Sequence, residues 1–326
     1  MISCTRSADR IPRLCALTLA CAFLCTAVST IGAQTLLRSV DITVDNDYFD
    51  FWRPPDQRSD DNYTQGLRIH ADTRGIPSFL RSRLCAKQDA CGSAVEIGQE
   101  MYTPTDDAPR LLPGERPYAG WLYLRGSADA ATANERRTLS ATIGVTGPPS
   151  LAAEAQEEFH HMVRGFRTPL GWSGQLPAEP DFALQGEVDR HLAPESASHW
   201  VDLIPEVHAT LGTVRTAAGA GTRARLGVNL THPWMREAHP SWFEGYAFVG
   251  VQGELVARDL FLDGGTFRRS PSVSREPLIG DWERGVVARV GHVELEYRAV
   301  TTSREYVTGP HSHTFGGITL GYDVSL

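Results

Sequence analysis

The chain is nearly without lysine: Lys87 is the single one, so almost all positive charge sits on guanidinium groups. Arginine suits bidentate contact with phosphate, although a GC-rich genome produces the same bias. Basic residues are also in the minority, 31 Lys and Arg against 39 Asp and Glu. Loss of a leader carrying Arg6, Arg10, Arg13 and Asp9 takes the formal charge from −8 to about −10, which argues against nucleic acid as a partner. Cysteine is scarce in the same way. Cys4, Cys15, Cys21 and Cys25 fall in the first 33 residues, leaving Cys85 and Cys91 around a polar segment. In an oxidising compartment that pair reads as one local disulfide; a metal pair needs two more ligands, and none are obvious. Long apolar runs are missing beyond the leader, so no helical membrane span is expected. His-Glu-x-x-His is absent, and Gly171-Trp172-Ser173-Gly174 is not a nucleophile elbow, so serine-triad chemistry has no support.

What is present begins with a tripartite leader. Three arginines precede an apolar run from Leu14 to Val28, and small residues end at Ala33 before Gln34. Residues 1–33 are therefore expected to be a secretory signal peptide and residues 34–326 a single domain. Cys21 and Cys25 lack a small-residue lipobox, so lipidation is not expected.

The mature chain alternates apolar and polar residues between turn clusters. Val40–Val44, Leu67–Ala71, Val95–Gln99, Trp121–Leu124, Leu139–Val145 and Phe182–Val188 show it first. Trp200–Val214, Ala224–Leu230, Tyr246–Leu262, Val286–Val290, His292–Thr302 and Thr314–Leu326 follow, about twelve strands in all. In an exported chain this pattern fits an all-β, 12-stranded antiparallel transmembrane β-barrel of the bacterial outer membrane, apolar outside and polar in the lumen. Asp41, Arg68, Glu96, Glu187, Glu254 and Arg289 would face inward, and Trp121, Trp200, Trp242 and Trp282 would form interfacial girdles. A soluble sandwich remains open at this point. With both termini periplasmic, strand parity puts Asn46-Asp47, Tyr63-Thr64, Tyr102-Thr103-Pro104, Arg116–Gly120 and Gly147-Pro148 at the outer rim. The Cys85–Cys91 loop then falls on the periplasmic side. A monomer is the expected state.

Asn46, Asp47 and Thr64 offer a carboxamide, a carboxylate and a hydroxyl that could hold a hard cation or polarise an ester; as turn formers they also need no function. The helix-like segment Leu151–Val163, with Ser150 as candidate cap, lies in an outer loop. Gln156 and His160 share one face, and Glu157 and His161 the next. An imidazole titrates near neutrality and suits a general base, although a lone helical histidine is commonly ordinary surface.

The order Asn46-Asp47, Tyr63–Leu67, Tyr102–Pro104, Arg116–Gly120, Gly144–Pro148, Gln156–His160 and Gly171–Gln175 resembles the lipid A 3'-O-deacylase family of Gram-negative outer membranes. The resemblance implies a twelve-stranded barrel with a short helix in an extracellular loop and a site facing the outer leaflet. It implies Ca2+-dependent hydrolysis of the 3'-linked acyl ester of lipid A, the lipid anchor of lipopolysaccharide. By position His160 would be the base that activates water, Asp47 the calcium ligand, and Asn46 and Thr64 further catalytic residues. Arg116 and Arg110 are the candidate substrate-binding cations. Some relatives place a lysine where this chain has Thr105–Arg110, leaving Arg110 as the one substitute, and a glutamate where it has Phe166. Two other functions remain open: a phospholipase using the same site, and a non-catalytic pore or structural barrel.

Overall fold

The computed structural model describes residues 37–54, 61–73, 76, 85, 90–105, 108–162, 169–194, 196–235 and 241–324. The signal-peptide expectation, Phe166, Asp106-Asp107 and the last two residues of the terminal strand lie outside these.

Twelve strands form a closed antiparallel barrel in which each pairs with its sequence neighbours, and the first meets the last. They are β1 (Leu37–Asn46), β2 (Asn62–Thr73), β3 (Ala90–Thr103), β4 (Ala119–Ala131), β5 (Glu135–Thr146) and β6 (Pro180–Arg190). The second half adds β7 (Val201–Gly212), β8 (Arg215–Val228), β9 (Phe243–Asp259), β10 (Leu278–Val290), β11 (Val293–Ser303) and β12 (Ser312–Asp323). Two helices lie in loops, α1 (Ala152–Met162) and α2 (Leu260–Asp263). The structure joins Cys85 to Cys91.

Period-two alternation decides which side each residue serves. Outward positions carry exposed Ile143, Leu184, Leu211, Leu226, Leu255 and Leu278. Inward positions carry ion pairs between nearby strands that line the lumen: Arg68–Asp45 at 2.6 Å, Arg298–Asp45 at 3.0 Å, Arg125–Glu96 at 3.2 Å, Arg223–Glu283 at 2.7 Å and Arg289–Glu244 at 2.6 Å. Arg215 bridges Glu254 and Asp259. The inward charges expected from the sequence are thus where alternation put them.

Three expectations needed correction. Trp121 is no girdle residue: it pairs in register with Glu100 and Thr146, faces inward, and stacks on Tyr123 at 4.2 Å. β8 starts at Arg215, earlier than expected, because Ala217-Ala218-Gly219-Ala220-Gly221 has low strand propensity and is held by pairing on both sides. Leu260–Asp263 is helical rather than strand, capped by the Asp259 carboxylate accepting from the Phe261 N–H at 2.9 Å.

Asp45 is the acid on which two lumen arginines converge, and it is 1% exposed. Asp45→Ala leaves both guanidiniums uncompensated and is expected to cost about 3–5 kcal/mol. The urea unfolding midpoint of the refolded barrel measures it, with Asp45→Asn expected to lose less.

Candidate functional site on the outer wall

The end of β1 turns sharply. The Asn46 side-chain oxygen accepts from the Tyr48 N–H at 2.9 Å and caps a single 3-10 turn, Asp47–Phe49. The Asp47 carboxylate accepts from the Asp61 N–H at 2.7 Å and so closes the loop onto the start of β2. There Asn62 adopts a left-handed φ of 61° and donates to the Asp61 carboxylate at 2.9 Å, while its own Oδ1 is buried without a hydrogen bond. A bulge between Tyr63 and Gln65 turns Thr64, whose hydroxyl meets that of Thr103 at 2.7 Å. Asn46, Asp47, Asn62, Thr64 and Thr103 are all buried.

Register tells which side of the wall this cluster occupies. Asp45 and Tyr63 point inward, bonded to one another at 3.1 Å. Asn46 therefore points outward, and Asn62, Thr103, Met101 and Gln99 lie on the same outer face through the β2–β3 ladder. Polar groups stand where the neighbouring rows carry Leu67, Ile97 and Leu124.

The cover is α1. A methyl added at Gly120, also outward, would fall 2.2 Å from the Ser150 hydroxyl and 2.3 Å from Ala152 Cβ, so glycine lets the helix lie on the wall. Gln99 donates to the Ser150 carbonyl at 2.6 Å, and Met101, Tyr118, Ala152 and Trp172 form the apolar seam beneath. Trp172 donates its indole N–H to the Gln156 carbonyl at 2.7 Å, orienting that side chain. His160, one turn further on the same face, is buried, whereas Glu157 and His161 are exposed and 3.6 Å apart. Ser150 is not the helix cap. It ends a 3-10 turn, Pro148–Ser150, and Leu151 intervenes at φ 58° before the helix starts.

The two candidate arginines part company. Arg110 is exposed in the β3–β4 loop. Arg116 is 1% exposed, bonded to Glu305 at 3.0 Å and stacked 4.7 Å from the Tyr102 ring centroid. Burial acts to raise the Glu305 carboxyl, but Arg116, His313 and Arg215 together hold it below its ordinary 4.5. Asn62, Thr103, Gln99 and Trp172 were absent from the sequence candidates. Outward phase on a strand expected to face lipid was the signal available for the first three.

Among the described residues no three His, Cys, Asp or Glu side chains cluster as a metal site. The set on the wall is instead the Asp47 carboxylate, the Asp61 carboxylate bonded to Asn62, and the neutral oxygens of Asn46, Asn62 and Thr64. Hard oxygens of this kind suit Ca2+ rather than a thiolate- or imidazole-seeking metal. The unpartnered Asn62 oxygen is consistent with a cation there.

A closed barrel with a helix-roofed polar site on its outer wall defines an outer-membrane protein of the membrane-embedded, site-bearing class. The profile of the family "Outer membrane protein LpxR" matches residues 17–324, and this chain belongs to that family, the lipid A 3'-O-deacylases. Among solved structures, LpxR from Salmonella typhimurium is 20% identical, with a TM-score of 0.72 over 87% of this chain and 99% of that one. The β domain of the Bordetella autotransporter BrkA matches at 11% identity and a TM-score of 0.46, covering 90% of this chain and all of that one. A search of curated proteins finds no match.

Two expectations follow from this geometry. Gly120→Val is expected to lift α1 from the wall at a cost of about 1–3 kcal/mol; limited proteolysis should then cut within residues 151–162 while the barrel keeps its heat-modifiable mobility. For Glu305, a folded pKa below the unfolded one means a contribution present in full above pH 4.5 and lost as pH falls through the depressed value. Stability should drop more steeply below pH 4.5 in the wild type than in Glu305→Gln.

Proposed function

We propose that this chain hydrolyses the ester that links the 3' acyl (acyloxyacyl) group to lipid A in the outer leaflet. The observation that carries the reading is the row of buried polar side chains on the outer wall at the upper ends of β1–β3, next to the β3–β4 wall on which the helix bearing Gln156 and His160 lies. Lipid acyl esters lie at that level of a bilayer, and a site opening outward meets them without the lumen.

His160 acts as general base and takes a proton from water as its oxygen attacks the ester carbonyl. The resulting imidazolium returns that proton to the departing sugar oxygen as the tetrahedral intermediate collapses, so no acyl-enzyme forms. Gln156, held by Trp172, fixes the polar surface beside the imidazole. Asp47, with Asn46, Asn62 and Thr64, would hold Ca2+, which when bound supplies positive charge for the developing oxyanion. Arg110 is the exposed cation available to a substrate phosphate. Arg116 is committed to Glu305 and braces the rim through Tyr102.

Mass spectrometry of lipid A from a host with unmodified lipid A, expressing this chain, tests the reading. The 3'-acyloxyacyl group should be lost. EGTA should suppress the reaction, and His160→Ala should lower it by about 10²–10⁴. Unchanged lipid A, with fatty acid released from phospholipid vesicles instead, would assign the site to phospholipid. No hydrolysis in either assay, with ion conductance through the lumen, would make the barrel a pore.

A further inference from the structure

The hydrogen-bonded row that contains Asn46 continues around the outer wall. Asn46 pairs with Gly316 of β12, Gly316 with Ala299 of β11, and Ala299 with Arg284 of β10. Three strand spacings put Arg284 about 14 Å from Asn46. The segment after Asn46 is laid along this row as a strap. A methyl at Gly316 would sit 2.1 Å from the Phe49 carbonyl oxygen, so that strand must be bare for the strap to pass. Phe51 stacks on Tyr297 at 5.4 Å, and the Tyr297 hydroxyl donates to the Phe49 carbonyl at 3.0 Å and accepts from the Phe51 N–H at 3.2 Å. Ala299 is consequently fully covered although it faces outward.

At its far end the strap delivers Trp52 to Arg284. The guanidinium lies 5.4 Å from the Trp52 ring centroid and 4.3 Å from that of Trp282, two residues nearer the outer end of β10. Its neighbours in the ladder, Ala299 and Val249, are apolar, and Nη1 is buried with no hydrogen-bond partner. No ion pair joins Arg284 to an acid among the described residues. Two further outward arginines, Arg137 and Arg190, sit at the opposite strand ends and share Glu135. A cation on a hydrocarbon-facing wall carries a desolvation cost unless it reaches the headgroup layer or an anion. The guanidinium lies over both indole rings, which restrict its motion, and its planar fork matches phosphate oxygens in a bidentate contact.

We propose that Arg284, held between Trp52 and Trp282, binds a phosphate group of an outer-leaflet lipid on the barrel's outer wall, three strands from Asn46. The site is separate from the ester chemistry and stands whether or not that chemistry occurs. Its phosphate belongs either to the molecule seated at Asn46 or to a neighbouring phospholipid. Both present the same oxygens at the same depth.

The test uses the full barrel refolded in neutral detergent, with lipid retention read by native mass spectrometry. Bisphosphorylated lipid A, the same lipid A treated with phosphatase, and phosphatidylglycerol are the probes. The wild type should retain at least one phosphorylated probe about tenfold better than dephosphorylated lipid A, and Arg284→Gln should remove that preference. Arg284→Lys, which keeps the charge but not the planar fork, should restore part of it. Preference for lipid A over phosphatidylglycerol assigns the phosphate to the larger ligand, and equal retention assigns it to bulk phospholipid. Equal retention of phosphorylated and dephosphorylated lipid by the wild type overturns the proposal. So does an undiminished preference in Arg284→Gln that keeps heat-modifiable mobility.

Discussion

Hydrocarbon offers no hydrogen bonds, and that constraint organises this molecule. Each strand must show apolar side chains outward, and an outward polar group has to be covered by protein. Most of the wall obeys with leucine, isoleucine and valine. Around the upper ends of β1, β2 and β3 it does not, and there two loops fold back over the wall. Helix α1 covers the side toward β4, and the strap from Asp47 to Arg53 covers the side toward β11. Without these covers Asn62, Thr64 and Thr103 would face lipid, and the covers are themselves held by the apolar seam under α1 and by Tyr297 under the strap.

Small residues are what make both covers possible. Gly120 lets α1 approach within side-chain contact, and Gly316 lets a backbone carbonyl cross β12. The lumen follows the opposite rule. Many of its charges are matched in pairs and triads, and Asp45 with two arginines, or Arg215 with two acids, stiffens the wall from inside.

Much of this was legible in the residues. Alternation gave the strand count, the barrel and the inward charges, and parity placed Asn46, Asp47 and Thr64 at the outer rim. Parity could not say that Asn46 faces away from the lumen, because that depends on the phase of a ten-residue strand against its partners. Trp121 misled for the same reason: an aromatic near a strand end is a girdle residue in one phase and a lumen residue in the other. Glu305 was hidden because its partner, Arg116, comes from a distant loop, and Trp172 because its partner, Gln156, sits on a helix earlier in the same loop, at no helical or strand spacing from it. The strap was unreadable, since Phe51 and Trp52 show no period; only Tyr297 and Arg284, far along the chain, explain them.

A binding surface on the outside of a barrel changes how its ligand arrives. A ligand entering a pore crosses an aqueous mouth in three dimensions and meets a narrow opening. A molecule already in the outer leaflet instead reaches the wall sideways, confined to a sheet a few tens of ångströms thick, with its orientation already set by the bilayer. Encounter then scales with the number of molecules per unit of membrane area, and leaflet fluidity sets its pace. Acyl chains never have to leave oil, so for a ligand bound as proposed the wall between α1 and the strap would be a mooring within the leaflet.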